Sequence, residues 1–182
     1  MQKNKNANIT EKNMKTDYNS MMILRPFSTE DASKILRWCI SKHAFRLWSA
    51  DRYHDFPAQP EDIIKQYEGE GLSPLTAVVD NVPIGHILLR YPTNDHSIVR
   101  FGFVIVDNEL RGKGCGKHLL QLAIDYAKHH LGASKITLGV FSENTSALKC
   151  YESVGFSITG KDSYMIDGEE WSGVEMELMV EK

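Results

Sequence analysis

Three glycines alternate with other residues in the segment Arg111-Gly-Lys-Gly-Cys-Gly-Lys117, between an apolar run and a long helical pattern. Glycine lets the backbone turn sharply and lets a ligand approach the main chain closely. The first amides of a helix have no intrahelical partner, and the helix dipole favours an anion beside them. With the positive side chains of Arg111, Lys113 and Lys117, the segment predicts a phosphate or pyrophosphate site where a strand passes into a helix.

The spacing of this loop argues against the common nucleotide-binding loops. A Walker loop needs four residues between its first glycine and the Gly-Lys pair, followed by Ser or Thr. Here three residues separate Gly112 from Gly116, and His118 follows Lys117. The dinucleotide fingerprint Gly-x-Gly-x-x-Gly is not matched either. Taken alone, the loop leaves open a glycine-rich surface turn with solvated lysines.

The hydrophobic pattern on either side of the loop predicts a mixed α/β domain with helices on both faces of one sheet. Residues 43–59, which follow the first helix, are rich in aromatic and polar residues and are predicted as a looser connection. Predicted strands are 22–27, 75–79, 84–91, 98–106, 135–141, 156–165 and 171–180; predicted helices begin at Ser28, Pro60, Lys113 and Asn144.

Length and composition predict one domain in residues 21–182 after a disordered leader in residues 1–20, which is rich in Lys, Asn and Thr. A net charge of -3 argues against nucleic acid or a membrane surface as partner. The three cysteines are far apart and odd in number, which favours a reducing compartment such as the cytoplasm. No Cys-x-x-Cys spacing is present, so a zinc site is not expected.

Two segments together resemble one known family. Arg111, Gly114 and Gly116 match the Arg/Gln-x-x-Gly-x-Gly/Ala signature of the GNAT (general N-acetyltransferase) superfamily. Residues 144–156 resemble its Asn-x-x-Ala-x-x-x-Tyr-x-x-x-Gly-Phe segment. Over about residues 22–180, the resemblance implies a mostly antiparallel sheet of six or seven strands and about four helices. A splayed strand pair would form the cofactor groove.

The resemblance also implies direct transfer of an acetyl group from acetyl-CoA to a primary amine of a small molecule or peptide. Tyr151 would be the general acid, because a phenol with a pKa of about 10 stays protonated beside a departing thiol with a pKa of about 8.5. The alternative interpretation of Tyr151 is a tyrosine buried in the core. The alternative interpretation of Asn144 is a helix cap. The implied cofactor-binding residues are Val104, Ile105, Val106, Arg111, Gly112, Lys113, Gly114, Cys115, Gly116, Lys117, Asn144, Ala147 and Tyr151.

The general base is less clear from the sequence. Many members of the family carry a carboxylate in the strand before the loop, but residues 97–106 contain none. Asp95 and His96, at the start of that strand, are candidates that would act through water. The missing carboxylate also keeps open an alternative function, a non-catalytic acyl-CoA-binding or sensing module.

The acceptor site is expected between the first two helices and at the final hairpin, as the resemblance implies. Trp48, Tyr53 and Trp171 could hold a cationic amine by cation–π contact, and Asp51 could supply a counter-charge. Packing is the alternative for the aromatic residues of the first segment, and pairing across strands is the alternative for Trp171. The modest acidity of the chain favours a cationic small molecule, and the family analogy suggests a homodimer.

Overall fold

One sheet of seven strands runs through residues 18–180, the part of the chain that the computed structural model describes. The strand order is β1-β2-β3-β4-β5-β7-β6, and the pairing is antiparallel except between β4 and β5. This confirms the mixed, mostly antiparallel sheet. The strands are β1 (Ile23–Pro26), β2 (Leu72–Val79), β3 (Val82–Arg90), β4 (Ile98–Val106), β5 (Lys135–Phe141), β6 (Ser157–Ile166) and β7 (Glu169–Met179).

The four predicted helices are present, and the structure adds two more, at residues 18–21 and 42–49. The looser connection predicted over residues 43–59 begins with a helix, which Ser41 caps by accepting the Ala44 N–H at 3.1 Å. No helix within residues 18–180 is both long and apolar enough to cross a membrane. The helices are α1 (Tyr18–Met21), α2 (Ala32–Arg37), α3 (Lys42–Ser49), α4 (Pro60–Gln66), α5 (Cys115–His130) and α6 (Thr145–Glu152).

The predicted leader lies mostly outside the described residues, which begin at Tyr18. Residues 18–20 belong to α1, and Tyr18 packs against the main core. The described fold therefore begins three residues before the predicted start at residue 21.

Two hydrophobic cores lie on opposite faces of the sheet. Leu119 and Ala123 of α5 pack in one core with Ile87 of β3, and α6 adds to the same core. Leu88 lies in the other core with Ile35 of α2, together with residues of α3 and α4. Because neighbouring residues of a strand point to opposite faces, a strand covered on both sides is apolar almost throughout.

A gap between β4 and β5 interrupts the sheet at its centre. The two strands share three residue pairs, the last of which is Arg100↔Thr137. On its other side β4 carries a bulge, because one residue of β3, Ile87, separates the flanking pairs where β4 has two, Phe103 and Val104. A bulge bends its strand and increases the local twist, and Phe103 has φ +50°. The strands therefore part beyond Arg100, which confirms the expected splayed pair.

Candidate active site

The glycine loop takes the conformation that its sequence predicts, but its glycines act differently. Gly112 and Gly114 have φ values of +73° and +84°, and Gly114 is the N-cap of α5. Gly116 is already helical, and a Cβ built there would lie 3.5 Å from Cys150 Sγ on α6. Two glycines thus make the turn, while the third lies where α6 packs against the start of α5.

The start of α5 presents free amides. The first bond of the helix runs from the His118 N–H to the Gly114 carbonyl oxygen at 3.1 Å. The amides of Cys115, Gly116 and Lys117 precede that bond, so they are available to an anion. The Cys115 side chain is buried in the core, which leaves only its main chain for a ligand. Exposed Lys113 and Lys117 add positive charge beside these amides.

Two predicted cofactor residues also have structural partners. Arg111 Nη2 donates to the Trp38 carbonyl oxygen at 3.3 Å, which joins the loop to the end of α2. Asn144 Oδ1 accepts the Ala147 N–H at 3.3 Å and the Ser146 hydroxyl at 3.2 Å. Asn144 is therefore the N-cap of α6, as its alternative interpretation predicted.

Tyr151 lies on α6, beside the start of α5. It retains 8% of its surface and meets the Phe156 ring edge-on, with centroids 6.0 Å apart. Burial raises the pKa of its hydroxyl well above the ordinary value, because the charged phenolate would lose its hydration. The side chain is thus both a core residue and a hydroxyl that stays protonated at neutral pH.

The edge of β4 that faces the gap has free main-chain groups. Ile105 and Val106 pair with His86 and Gly85 of β3 on their other side. Toward β5, the described residues give β4 no strand partner beyond Arg100. An extended amide chain could pair with this edge as an added strand.

The structure does not bring the two candidate bases to the loop. Asp95 Oδ1 accepts the Ser97 hydroxyl at 2.6 Å and the Ser97 N–H at 2.9 Å, and these bonds lower the pKa of Asp95. His96 is exposed and stacks on Tyr91, with ring centroids 4.2 Å apart. Both residues precede β4, whereas the loop follows it at the other end, roughly 25 Å along the strand.

The aromatic residues after α2 form a wall beside the β4 bulge. Trp48 and Tyr53 stack with centroids 5.9 Å apart, and they meet Phe103 at 5.3 Å and 6.0 Å. Within residues 18–180, the Trp48 indole nitrogen and the Tyr53 hydroxyl are buried without a hydrogen-bond partner. Packing, the alternative interpretation, therefore describes their rings, while Asp51 is exposed.

Trp171 lies at a shallow cleft of about 360 Å³. Its ring packs against Phe141 and His43, with centroids 5.0 Å and 5.4 Å away. Glu143 and Glu169 also line the cleft. The lining of this cleft includes neither Trp48 nor Tyr53.

A buried arginine that the sequence did not reveal joins the two segments in which the acceptor site is expected. Arg46 donates to both carboxylate oxygens of Asp167, at 2.9 Å and 3.0 Å, and to the Tyr53 carbonyl oxygen at 2.7 Å. Lys42 adds a 2.9 Å contact to Asp167. Asp167 lies in the turn between β6 and β7, 121 positions from Arg46, so no local pattern links the two residues.

A second ion pair crosses the closed end of the gap. Arg100 of β4 donates to both carboxylate oxygens of Glu175 of β7, at 2.6 Å and 2.8 Å. The pair passes over Gly139 of β5, where an added Cβ would lie 2.8 Å from Arg100 and 2.9 Å from Glu175. The Tyr164 hydroxyl donates to Glu175 at 3.4 Å. A carboxylate of β7 therefore lies beside β4, which carries none of its own.

Comparison with known families agrees with this arrangement. The model of the Acetyltransferase (GNAT) family matches residues 41–156. The chain therefore belongs to the GNAT family. It is an acetyl-CoA-dependent N-acetyltransferase that transfers an acetyl group to an amine.

Individual relatives carry the same activity class. Spermidine N(1)-acetyltransferase of Escherichia coli (strain K12) is 25% identical over 155 residues, which are 84% of this chain and 83% of the relative. An L-amino acid N-acetyltransferase of the same organism is 31% identical over 104 residues, covering 54% and 63%. A spermidine N-acetyltransferase from Vibrio cholerae, solved in complex with CoA and spermine, superposes with a TM-score of 0.74 at 23% identity. It covers 88% of this chain and 96% of its own. None of these relatives supports the non-catalytic alternative.

Proposed function

We propose that the chain acetylates a primary amine of a small molecule by direct transfer from acetyl-CoA, with Tyr151 protonating the departing thiolate. The observation that supports this most is the position of Tyr151, buried on the helix that packs against the start of α5. Because burial keeps its pKa high, the phenol has a proton to donate when the thioester bond breaks.

In this proposal, main-chain groups hold the cofactor. The amides of Cys115, Gly116 and Lys117 bind the pyrophosphate, and Lys113 adds charge. The pantetheine arm then follows the free edge of β4, where its amides pair with the main chain of residues 104–106. The thioester is thereby directed to the closed end of the gap.

The acceptor reaches the thioester on the sheet face that carries α2, α3 and α4. At neutral pH it arrives as an ammonium ion, which must lose a proton before it can attack. We propose Glu175, through an ordered water, in preference to Asp95 or His96. Glu175 faces the gap over Gly139, whereas Asp95 and His96 lie before the β4–β5 pairs that close the gap, and their side chains contact Ser97 and Tyr91.

Replacement of Tyr151 by Phe tests the general acid. We expect kcat to fall by about 10²- to 10⁴-fold, the usual contribution of a positioned acid, with little change in the Kd of CoA. Tyr126→Phe is the matched control, since Tyr126 lies on α5 and stacks on His130. Thiol release would be followed with spermidine, free amino acids and a lysine peptide as acceptors. An unchanged kcat would remove Tyr151 from the mechanism. CoA binding without turnover of any amine would favour the sensing module.

The assembly and location belong to the same proposal. The family resemblance suggests a homodimer, which light scattering on the purified chain would test. The described structure contains three free cysteines, two of them buried. Unoxidised thiols suit a reducing compartment such as the cytoplasm, and fractionation of cells that express the tagged chain would test this.

A further inference from the structure

Two arginines stand directly opposite each other on β3 and β4. Arg90 is the cross-strand partner of Arg100. Directly opposite residues of an antiparallel pair point to the same face, and like charges there are unfavourable. The face is that of α2, α3 and α4, because Leu88, two residues before Arg90, lies in the core under those helices. The arginine pair therefore lies on the acceptor face.

The charges around this pair do not balance. Arg100 is neutralised by the two-oxygen contact with Glu175. Arg90 has no ion-pair partner in the part of the chain that the structure describes, residues 18–180. It is half-buried, and its burial lowers its pKa, with further lowering by the charges of Arg100 and Arg52. Within residues 18–180, the two facing arginines thus have one ion-paired carboxylate between them, Glu175.

This arrangement is suited to an anionic ligand. A guanidinium presents parallel N–H donors that match the two oxygens of a carboxylate. A carboxylate on Arg90 would also relieve its repulsion with Arg100. A polyamine would instead bring positive charge beside an unpaired arginine. The position is close to the expected reaction centre, since Arg100 is the last residue of β4 that pairs with β5.

We propose that Arg90 binds a carboxylate of the acceptor, so that the acceptor is an amino acid or another small molecule with its amine and carboxylate close together. This assignment rests on the proposed amine acetylation. The amine faces Glu175 and the thioester, while the carboxylate pairs with Arg90. An α-amino acid satisfies both contacts because its amine and carboxylate are joined to the same carbon.

Matched acceptors test the assignment. Each amino acid is compared with its decarboxylated amine, for example phenylalanine with phenethylamine, and spermidine is included as a polycation. We expect the wild-type kcat/KM to favour the amino acids by at least about tenfold, within the range for a charge-assisted contact. Arg90→Gln is expected to remove that preference and to leave the decarboxylated amines within about threefold of wild type. Arg90→Lys is expected to retain part of it, since it keeps the charge without the planar donors.

Controls separate this site from general effects. Lys161→Gln removes an exposed positive charge from β6, opposite Val174 of the other core, and is expected to leave the preference intact. Calorimetry of amino acid binding to the CoA-saturated protein gives a second readout that does not need turnover. Thermal melting of each variant confirms folding.

The outcomes distinguish the two proposals. Turnover of amines with no preference for the carboxylate, or a preference that survives Arg90→Gln, overturns the Arg90 assignment and leaves amine acetylation standing. Amino acid binding that depends on Arg90, without turnover of any acceptor, supports the assignment and contradicts the proposed function. Absence of both binding and turnover with amino acids overturns the assignment.

Discussion

The cofactor side and the acceptor side of this enzyme are built in different ways. The proposed cofactor residues come from three short segments, residues 104–106, 111–117 and 144–151, and act largely through main-chain groups. On the acceptor side, Arg46 and Asp167 are 121 positions apart, and Arg100 and Glu175 are 75 apart. The residues of the cofactor side are therefore close together in the sequence, whereas those of the acceptor side meet only once the strands have paired.

The difference has a consequence for specificity. Main-chain amides at a helix start bind a diphosphate whatever the neighbouring side chains are, so the cofactor is fixed by the backbone conformation. The acceptor is chosen by side chains that meet across the sheet, where a single substitution changes the charge of the site. The two sides should thus respond separately to mutation.

Arg46→Met is the largest expected effect and tests whether the sides are separate. It removes two bonds to Asp167 and leaves the Tyr53 carbonyl without its donor. We expect the free energy of unfolding to fall by about 3 kcal/mol and the acceptor KM to rise, with the Kd of CoA unchanged. Chemical denaturation and steady-state kinetics measure these quantities.

Lys42→Met is the matched control, because it removes the exposed partner of the same carboxylate. An exposed ion pair contributes at most about 1 kcal/mol, so its effect should be much smaller. A rise in the Kd of CoA on Arg46→Met would show that the two sides are coupled.

Gly114→Val tests the cofactor side. The N-cap of α5 has φ +84°, which a β-branched residue adopts only with strain. We expect CoA affinity to fall roughly thirtyfold, which corresponds to about 2 kcal/mol. Calorimetry provides the measurement.

Gly132→Val offers the comparison at the other end of α5. Gly132 has φ +70° and open space around a built Cβ. The Gly132→Val variant should lose about as much stability as Gly114→Val and should keep its affinity for CoA. Equal loss of affinity in both variants would mean that the glycine at residue 114 serves folding alone.

Asp167→Asn gives the smallest expected effect and depends on pH. Bonds from Arg46 and then Lys42 lower the pKa of Asp167 below the ordinary value. A carboxylate with a depressed folded-state pKa stabilises the fold above its unfolded pKa, and that contribution is lost as the pH falls through the folded value. The Tm of the variant should therefore lie below that of wild type at pH 7, and the two should converge toward pH 3. A Tm difference that grows on acidification would contradict this account.

The sequence was most informative where local chemistry decides the structure. The bounds of β5 agree with the predicted residues 135–141, and Asn144 caps α6 as its spacing allowed. Gly114 shows the same principle, since a left-handed N-cap before a helix favours glycine.

The sequence was least informative where tertiary contacts override the local pattern. Helix α3 was not predicted because its buried residues include Arg46 and Ser49 beside Phe45, which obscures the apolar period. The Phe103 bulge was not predicted, although Gly102 precedes it, because the residue with positive φ is itself a phenylalanine. The pairing of Glu175 with Arg100 depends on a strand register that no single segment reveals.

The central claim is that the amides at the start of α5 bind the diphosphate of CoA. A titration of the ¹⁵N-labelled chain with CoA, followed by ¹H–¹⁵N NMR, tests it most directly. The account predicts the largest shift changes at the amides of Cys115, Gly116 and Lys117, with further changes along residues 104–106. Saturation with CoA that leaves these amides unshifted, while amides elsewhere move, would contradict it.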